Sequence, residues 1–245
     1  TYLVEKQPQL MPNFDADMVA SITPRVQEKQ VKLHLGTEVT AITQHGKRLA
    51  IHTDKAGTVE ADIVILSIGV RPNAELAAAA GLKLGESGAI HVDRYLRTSE
   101  PDIFAAGDCV EHHHLVLGRD VWIPLATSAN KGGRIAGENM MGGKATLPGI
   151  LGTAIVKVFD YAMANTGLTE IEARESGLFG QNGEFVGSTV IEARDKSGYW
   201  PGAEMMTVKL VFDKRGGRVV GSQMVGKDGV NKRIDIVATA ITAKM

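Results

Sequence analysis

The stretch Ile103-Phe-Ala-Ala-Gly107-Asp108 is the first place where this sequence offers chemistry. Its apolar run reads as a short buried strand, and it ends on a glycine followed at once by a carboxylate. In open α/β sheets, ligands settle at the carboxyl ends of strands. There Gly107 would let the backbone come close to a ligand, and Asp108 would accept hydrogen bonds from hydroxyl groups. Gly-Asp is equally a common turn pair, so a plain strand-to-loop turn stays open beside the ligand-binding reading. Further along, Pro124-Leu-Ala126 introduces a helix predicted over 127–139 whose glycines make it a poor helix on propensity. They suit a helix packed very close to another backbone or to a flat ligand. Its N-terminus would bring unpaired N–H groups and a positive dipole end beside whatever binds near Asp108.

Two other groups of residues invite a chemical interpretation. Glu5 follows the strand-like Tyr2-Leu-Val4. In dinucleotide-binding units an acidic residue ~20 positions after the Gly-rich loop holds the adenosine ribose. Here that loop would lie upstream of Thr1, so on its own Glu5 is also an ordinary surface carboxylate. His112-His113-His114 suggests a metal, but neighbours on an extended chain point to opposite faces and cannot share one ion. A solvated hairpin is expected there, and no metal site. His34 and His52 fall within strand patterns and are expected to be structural.

The chain must position these groups with 245 residues, 44% of them hydrophobic, and a formal net charge of −1. That balance leaves no basic footprint for nucleic acid, and no stretch is long and apolar enough to span a bilayer. The single cysteine, Cys109, allows no intrachain disulfide, so a reducing, cytoplasmic setting is expected. Asp15 and Asp17 open a helical pattern carrying Met18, Ile22 and Val26 on one face, with Pro24 marking a kink or a restart. Strands are predicted over 31–35, 38–42 and 48–51. Residues 62–66 are apolar in succession, as in a strand covered on both faces, and Gly69 and Pro72 then force a turn. A short helix over 75–80 stops at Gly81, and a further strand is predicted over 88–92.

Beyond 143 the pattern changes. Residues 155–159, 206–212 and 218–225 alternate, 213–217 form a hairpin turn, and a helix over 169–176 has Thr169 as its N-cap. An antiparallel sheet with helices on one side follows, hence a separate α+β domain with its boundary between 143 and 149. The chain opens inside a strand pattern and closes at Met245 inside a helical one, so a piece of a longer protein is expected.

In this order, Ser67-Ile-Gly-Val-Arg-Pro-Asn73, Ile103-Phe-Ala-Ala-Gly-Asp108, Pro124-Leu-Ala126 with Ala129-Asn130 and Gly133-Arg134, Tyr199-Trp-Pro-Gly-Ala203, and Val225-Gly-Lys-Asp-Gly229 with Lys232-Arg-Ile-Asp235 form a recognisable set. With them the chain resembles the flavin-dependent pyridine nucleotide–disulfide oxidoreductases, in the branch of coenzyme A-disulfide reductases, persulfide reductases and NADH oxidases. The resemblance implies an α/β fold of partial FAD- and NAD(P)-binding Rossmann-like domains followed by an α+β dimerisation domain. Residues 1–73 would be the C-terminal half of the NAD(P)H domain, 74–146 the C-terminal segment of the FAD domain, and 147–245 the dimerisation domain, incomplete at its C-terminus.

The same resemblance implies roles. Glu5 would hold the adenosine ribose and favour NADH over NADPH, since a carboxylate repels the 2′-phosphate. Gly69 would lie beside the nicotinamide half. Gly107 and Asp108 would meet the ribityl chain of FAD, and Pro124, Leu125 and Ala126 would aim the following helix at the flavin pyrimidine edge. Tyr199 would reach the partner's active site in a homodimer, donating a proton or a hydrogen bond to a leaving thiolate; a turn with aromatic surface contacts is the plainer alternative. The implied reaction passes hydride from NADH through FAD to a small disulfide or persulfide such as coenzyme A disulfide. An NADH oxidase, a reductase of a protein carrier, and a non-catalytic dimerisation fragment are the alternatives. No Gly-rich FAD or NAD loop and no redox-cysteine segment occurs in these residues. Cys109 is best read as a small buried residue, so this chain alone is expected to be inactive.

Overall fold

The computed structural model describes residues 1–245. Tyr2–Glu5 (β1) pairs in parallel with Lys32–Leu35 (β2), and the crossover between them carries two short helices, Ala16–Ala20 (α1) and Thr23–Glu28 (α2). Pro24 lies in the first turn of α2, where its missing N–H costs nothing. The helical pattern therefore restarts at the proline. Val39–His45 (β3), Arg48–Thr53 (β4) and Thr58–Ala61 (β5) follow as a three-stranded antiparallel sheet.

The strand predicted over 62–66 does not form. Residues 63–73 make no backbone hydrogen bond, and Ile65 and Ile68 stand 87% and 91% exposed. An apolar run of this kind needs a neighbour on each edge and cover on both faces. Neither the β1–β2 pair nor the β3–β5 sheet reaches it. Glu75–Ala79 (α3) then ends ahead of Gly81, which takes a left-handed φ of +77°.

The middle of the chain is held by single bridges more than by long strands. Ile90 bridges Leu84 and Val110, and Phe104 bridges Arg97, so the strands predicted over 88–92 and 103–106 shrink to isolated pairings. Ala77, Ile90, Val92, Leu96, Val110 and Ala136 make the local core. A short hairpin, His112–His113 (β6) with Asp120–Val121 (β7), leads into the long helix Ala126–Met140 (α4).

Five antiparallel strands build the last part, in the order β10-β11-β12-β9-β8. They are Ala154–Val158 (β8), Tyr161–Gly167 (β9), Val186–Arg194 (β10), Met205–Asp213 (β11) and Val219–Gly226 (β12). Glu170–Glu175 (α5) starts at Thr169, whose hydroxyl accepts from the Glu172 N–H while the Glu172 carboxylate accepts from the Thr169 N–H; this reciprocal cap fixes the helix start. Val230–Thr242 (α6) closes the chain. Helices cover both faces of this sheet, where the sequence pattern suggested one. Ala164, Met206 and Met224 pack under α6 through Val230 and Ile234. Met163 and Val225 point the other way and receive Leu10, Phe14, Met18, Val19, Ile22 and Val26 from the first part of the chain. Each such side chain contributes roughly 1.5–3 kcal/mol on burial.

That second face also holds charge. Lys209, 3% exposed, sits in β11 with its Nζ 3.1 Å from Asp15, 2.8 Å from Asp17 and 3.1 Å from Glu170. Asp15 also accepts from the Gln223 side-chain amide and, at 3.0 Å, from the Glu170 N–H at the start of α5. Burial pushes Glu170 up, but hydrogen bonds from Ser188, Arg174 and Lys209 outweigh it and hold the carboxyl at about 2. Burial likewise lowers Lys209, and its bonds to Asp17, Glu170 and Asp15 overcome that and raise it. Lys209→Met leaves Asp15 buried without its cation, and urea unfolding is expected to show a loss of about 3–5 kcal/mol. Glu170 stabilises the fold fully above its ordinary value of 4.5 and loses that contribution as the pH falls towards about 2. Glu170→Gln is expected to flatten the acid limb of the stability curve over that interval.

Candidate functional site

Gly107 takes a φ of +103°, and a Cβ placed on it would meet nothing within 4 Å. The position therefore combines a backbone conformation that L residues avoid with open space above it. Asp108 follows with an exposed side chain. Its main-chain carbonyl accepts from the Trp122 indole N–H at 2.7 Å, which ties the Gly107-Asp108 corner to the segment that opens α4. Cys109 is half-buried, with its Sγ 3.5 Å from the Ala106 carbonyl.

Helix α4 begins after Leu125, which is extended (φ −137°, ψ 136°) and has no side-chain group able to cap the helix. The Ser128 hydroxyl turns back onto the Leu125 carbonyl at 2.9 Å and leaves the first-turn N–H groups uncapped. A helix start left open in this way attracts negative charge. The α4 glycines do not serve a close backbone contact within the chain: a Cβ at Gly132 would sit at 3.7–3.8 Å from Leu96, Ala106 and His112, and Gly133 and Gly137 face open space. Between the start of α4, residues 147–155 and α6 runs a cleft of about 800 Å³, bordered by Leu125, Ser128, Lys131, Ile234 and Ala238.

The remaining predicted site residues lie apart from that corner. Glu5 ends β1, and one of its carboxylate oxygens accepts from the Gln7 N–H at 2.7 Å. Gly69 has a φ of +106° with open space at its Cβ, inside the unpaired stretch after β5. Tyr199 is 86% exposed in the loop between β10 and β11. No hydrogen bond links Glu5, Gly69 or Tyr199 to Gly107, Asp108 or the start of α4.

The three histidines do form a hairpin, but it is not solvated throughout. His112 and His114 are buried and His113 is exposed, which is the alternation of an extended strand carried to its consequence. His114 Nδ1 accepts from the Val116 and Leu117 N–H groups at 3.2 Å. Gly149 is wedged against this hairpin: a Cβ there would lie 2.7 Å from the His113 carbonyl oxygen. The side chains of His91, Glu111 and Asp120 converge beside it, with ligand-capable atoms within 4.8 Å of one another.

Residues 1–133 match the family profile described as pyridine nucleotide-disulphide oxidoreductase, and 153–245 match its dimerisation domain. The chain belongs to the pyridine nucleotide-disulphide oxidoreductase family. It is 37% identical over 243 residues to the NAD(P)H coenzyme A polysulfide/persulfide reductase of Pyrococcus horikoshii, covering 99% of this chain and 53% of that protein. It is 34% identical over 244 residues to the NADH oxidase of Methanocaldococcus jannaschii, covering 99% and 52%. Among solved structures, an NAD-dependent persulfide reductase from A. fulgidus superposes with a TM-score of 0.93 at 39% identity, covering all of this chain and 44% of that one. The chain thus spans about half the length of the relatives it matches.

Sequence reasoning singles out Gly107-Asp108 and gives no sign of either charged cluster. Lys209 stands in an alternating strand, where charged side chains are ordinarily turned to water, and nothing local marks its partners 192 and 194 positions earlier. The environment of the hairpin has a pH consequence. Burial holds His114 down at about 4, helped by the nearby positive charge of His113 and Arg119; burial also lowers His112, against the pull of Asp120. His114 is therefore neutral in the fold. Its contribution is fully present above its unfolded value of 6.5 and is lost as the pH falls from 6.5 to about 4. Between pH 7 and 5 this one residue is expected to cost on the order of 2 kcal/mol. His114→Asn should shallow that slope in thermal unfolding measured at both pH values.

Proposed function

We propose that this chain is the dimer-forming portion of a flavoprotein that passes hydride from NADH through FAD to a small disulfide or persulfide, coenzyme A disulfide among them. One observation carries the reading: a left-handed Gly107 and an exposed Asp108, tied through Trp122 to the segment that leads into the uncapped start of α4, on a chain of this family. In this proposal residues 1–73 complete an NAD(P)H domain, 74–146 complete an FAD domain, and 147–245 pair two copies of the chain.

FAD, when bound, takes up hydride and delivers the electron pair to sulfur. The residues of this chain hold and tune it. Asp108 accepts hydrogen bonds from ribityl hydroxyls, and Gly107 lets the backbone lie against the chain of the cofactor. The free N–H groups at Ala126 and Thr127 would favour negative charge on a flavin bound beside them and so favour its reduced form. Glu5 accepts from the adenosine ribose and disfavours a 2′-phosphate, so NADH is preferred to NADPH; Gly69 offers open backbone to the nicotinamide half. Tyr199, exposed and unbonded within its own chain, delivers a proton or hydrogen bond to the thiolate leaving in the partner subunit. Cys109, half-buried beside Ala106, is not the redox sulfur, and the isolated chain is expected to show no steady-state NADH turnover. The similarity to an NADH oxidase favours a second reading, in which oxygen is the acceptor.

The test uses the full-length protein. It is expected to be yellow and to oxidise NADH faster with coenzyme A disulfide than with oxygen alone. Asp108→Ala should lower flavin affinity about ten-fold, the worth of one lost charge-assisted hydrogen bond. Tyr199→Phe should keep the flavin and lose about 10²-fold or more in kcat. A colourless protein would overturn the flavoprotein assignment. Oxygen consumption unaffected by the disulfide would favour the oxidase.

A further inference from the structure

We propose that His91, Glu111 and Asp120 form a binding site for one divalent transition-metal ion of the zinc class. Three backbone strips bring the donors together. The Ile90–Val110 bridge sets His91 beside Glu111, with the Ile90 N–H donating to the Cys109 carbonyl at 2.8 Å and the Glu111 N–H donating to the Ile90 carbonyl at 3.1 Å. The hairpin pairs His113 with Asp120 and turns the latter's carboxylate towards the same point. His91 Nδ1 lies 2.9 Å from Glu111 Oε1 and 3.5 Å from Asp120 Oδ2. Ligands at about 2.1 Å from a tetrahedral zinc stand roughly 3.4 Å apart; the His91–Asp120 separation matches that, the His91–Glu111 one is shorter, and all three donors lie within 4.8 Å of one another.

The charge balance points the same way. Glu111 is 6% exposed, and its carboxylate lies against the bare backbone of Gly85, where any Cβ would overlap it. Neither Glu111 nor Asp120 pairs with a lysine or arginine; their ionic partners are histidines. Two converging carboxylates, one of them buried, therefore lack a permanent positive charge. A divalent ion would supply it, and the imidazole nitrogen selects a transition metal over calcium or magnesium. Asp120 Oδ1 lies 3.5 Å from His113 Nδ1, so His113 can orient the ligating carboxylate from outside the coordination sphere. Water fills the fourth position, and a cleft of about 580 Å³ beside the four side chains gives an ion its entry path. This also resolves the histidine run: of its three rings only that of His113 borders the site through an ionic contact, as the alternation of an extended strand requires.

The ordinary alternative is a histidine–carboxylate ion pair, and the two differ in what they bind. Chelator-treated protein is titrated with zinc chloride by calorimetry and with cobalt(II) followed by visible absorption. The expected result is one saturable ion per chain, with cobalt bands of a low-coordinate site. His91→Ala and Asp120→Asn should each weaken binding at least ten-fold, with circular dichroism unchanged. His45→Ala, which removes the exposed pair between His45 and Glu60, should leave affinity as it was. Absence of saturable binding, or stoichiometric binding that survives both His91→Ala and Asp120→Asn, would overturn the site.

Discussion

One buried lysine holds two parts of this chain together. Lys209 projects from the middle of the last sheet into a space lined by Asp15 and Asp17 from the start of α1 and by Glu170 from the start of α5. Removing a lysine and a carboxylate from water costs several kcal/mol per ion, so the cluster holds only because each lone pair finds a donor. Gln223 and the Glu170 amide complete the set on Asp15. The surrounding apolar contacts are not directional and would tolerate sliding. The ion cluster is directional, and it gives the docked segment 10–26 one position on the sheet. The first part of the chain and the last sheet are thereby joined across a sequence separation of 192 residues or more.

What lies outside that joint is less self-sufficient. Residues 63–73 leave isoleucines exposed and backbone unpaired, while β1 and β2 form only a pair of parallel strands. Parallel strands of this kind are ordinarily covered on both faces. The chain spans about half the length of these relatives. The sheet of the last part, by contrast, is covered on one face by α6 and on the other by α5 and the docked segment 10–26.

Legibility in the sequence followed the range of the interaction. Thr169 as a cap, the turn over 213–217, the restart at Pro24 and the glycine stop after α3 are decided within a few residues, and all are present. Strands whose partners must come from elsewhere are not decided locally: 62–66 is apolar yet unpaired, and 103–106 keeps one bridge. Tyr161–Gly167 and Val186–Arg194 were not anticipated, since glycine, asparagine and threonine dilute the alternation there. The histidine run shows the limit from the other side. Its alternation was read from spacing alone, yet burial of His112 and His114 depends on Gly149 and α4 coming to rest against the hairpin.

The Gly107-Asp108 corner stands out in the sequence for a physical reason. A left-handed glycine, an exposed carboxylate and a helix with nothing at its cap are each unfavourable or neutral for folding in isolation. Leu125 gives up the stabilisation that a serine or aspartate would bring as N-cap, about 1 kcal/mol. Trp122 uses its one polar side-chain atom to tie this turn to the segment that leads into that uncapped helix. Features that add little to folding, gathered along one short stretch of chain, mark it out from the sequence around it. The same logic separates it from the Lys209 cluster, where every group is satisfied from within.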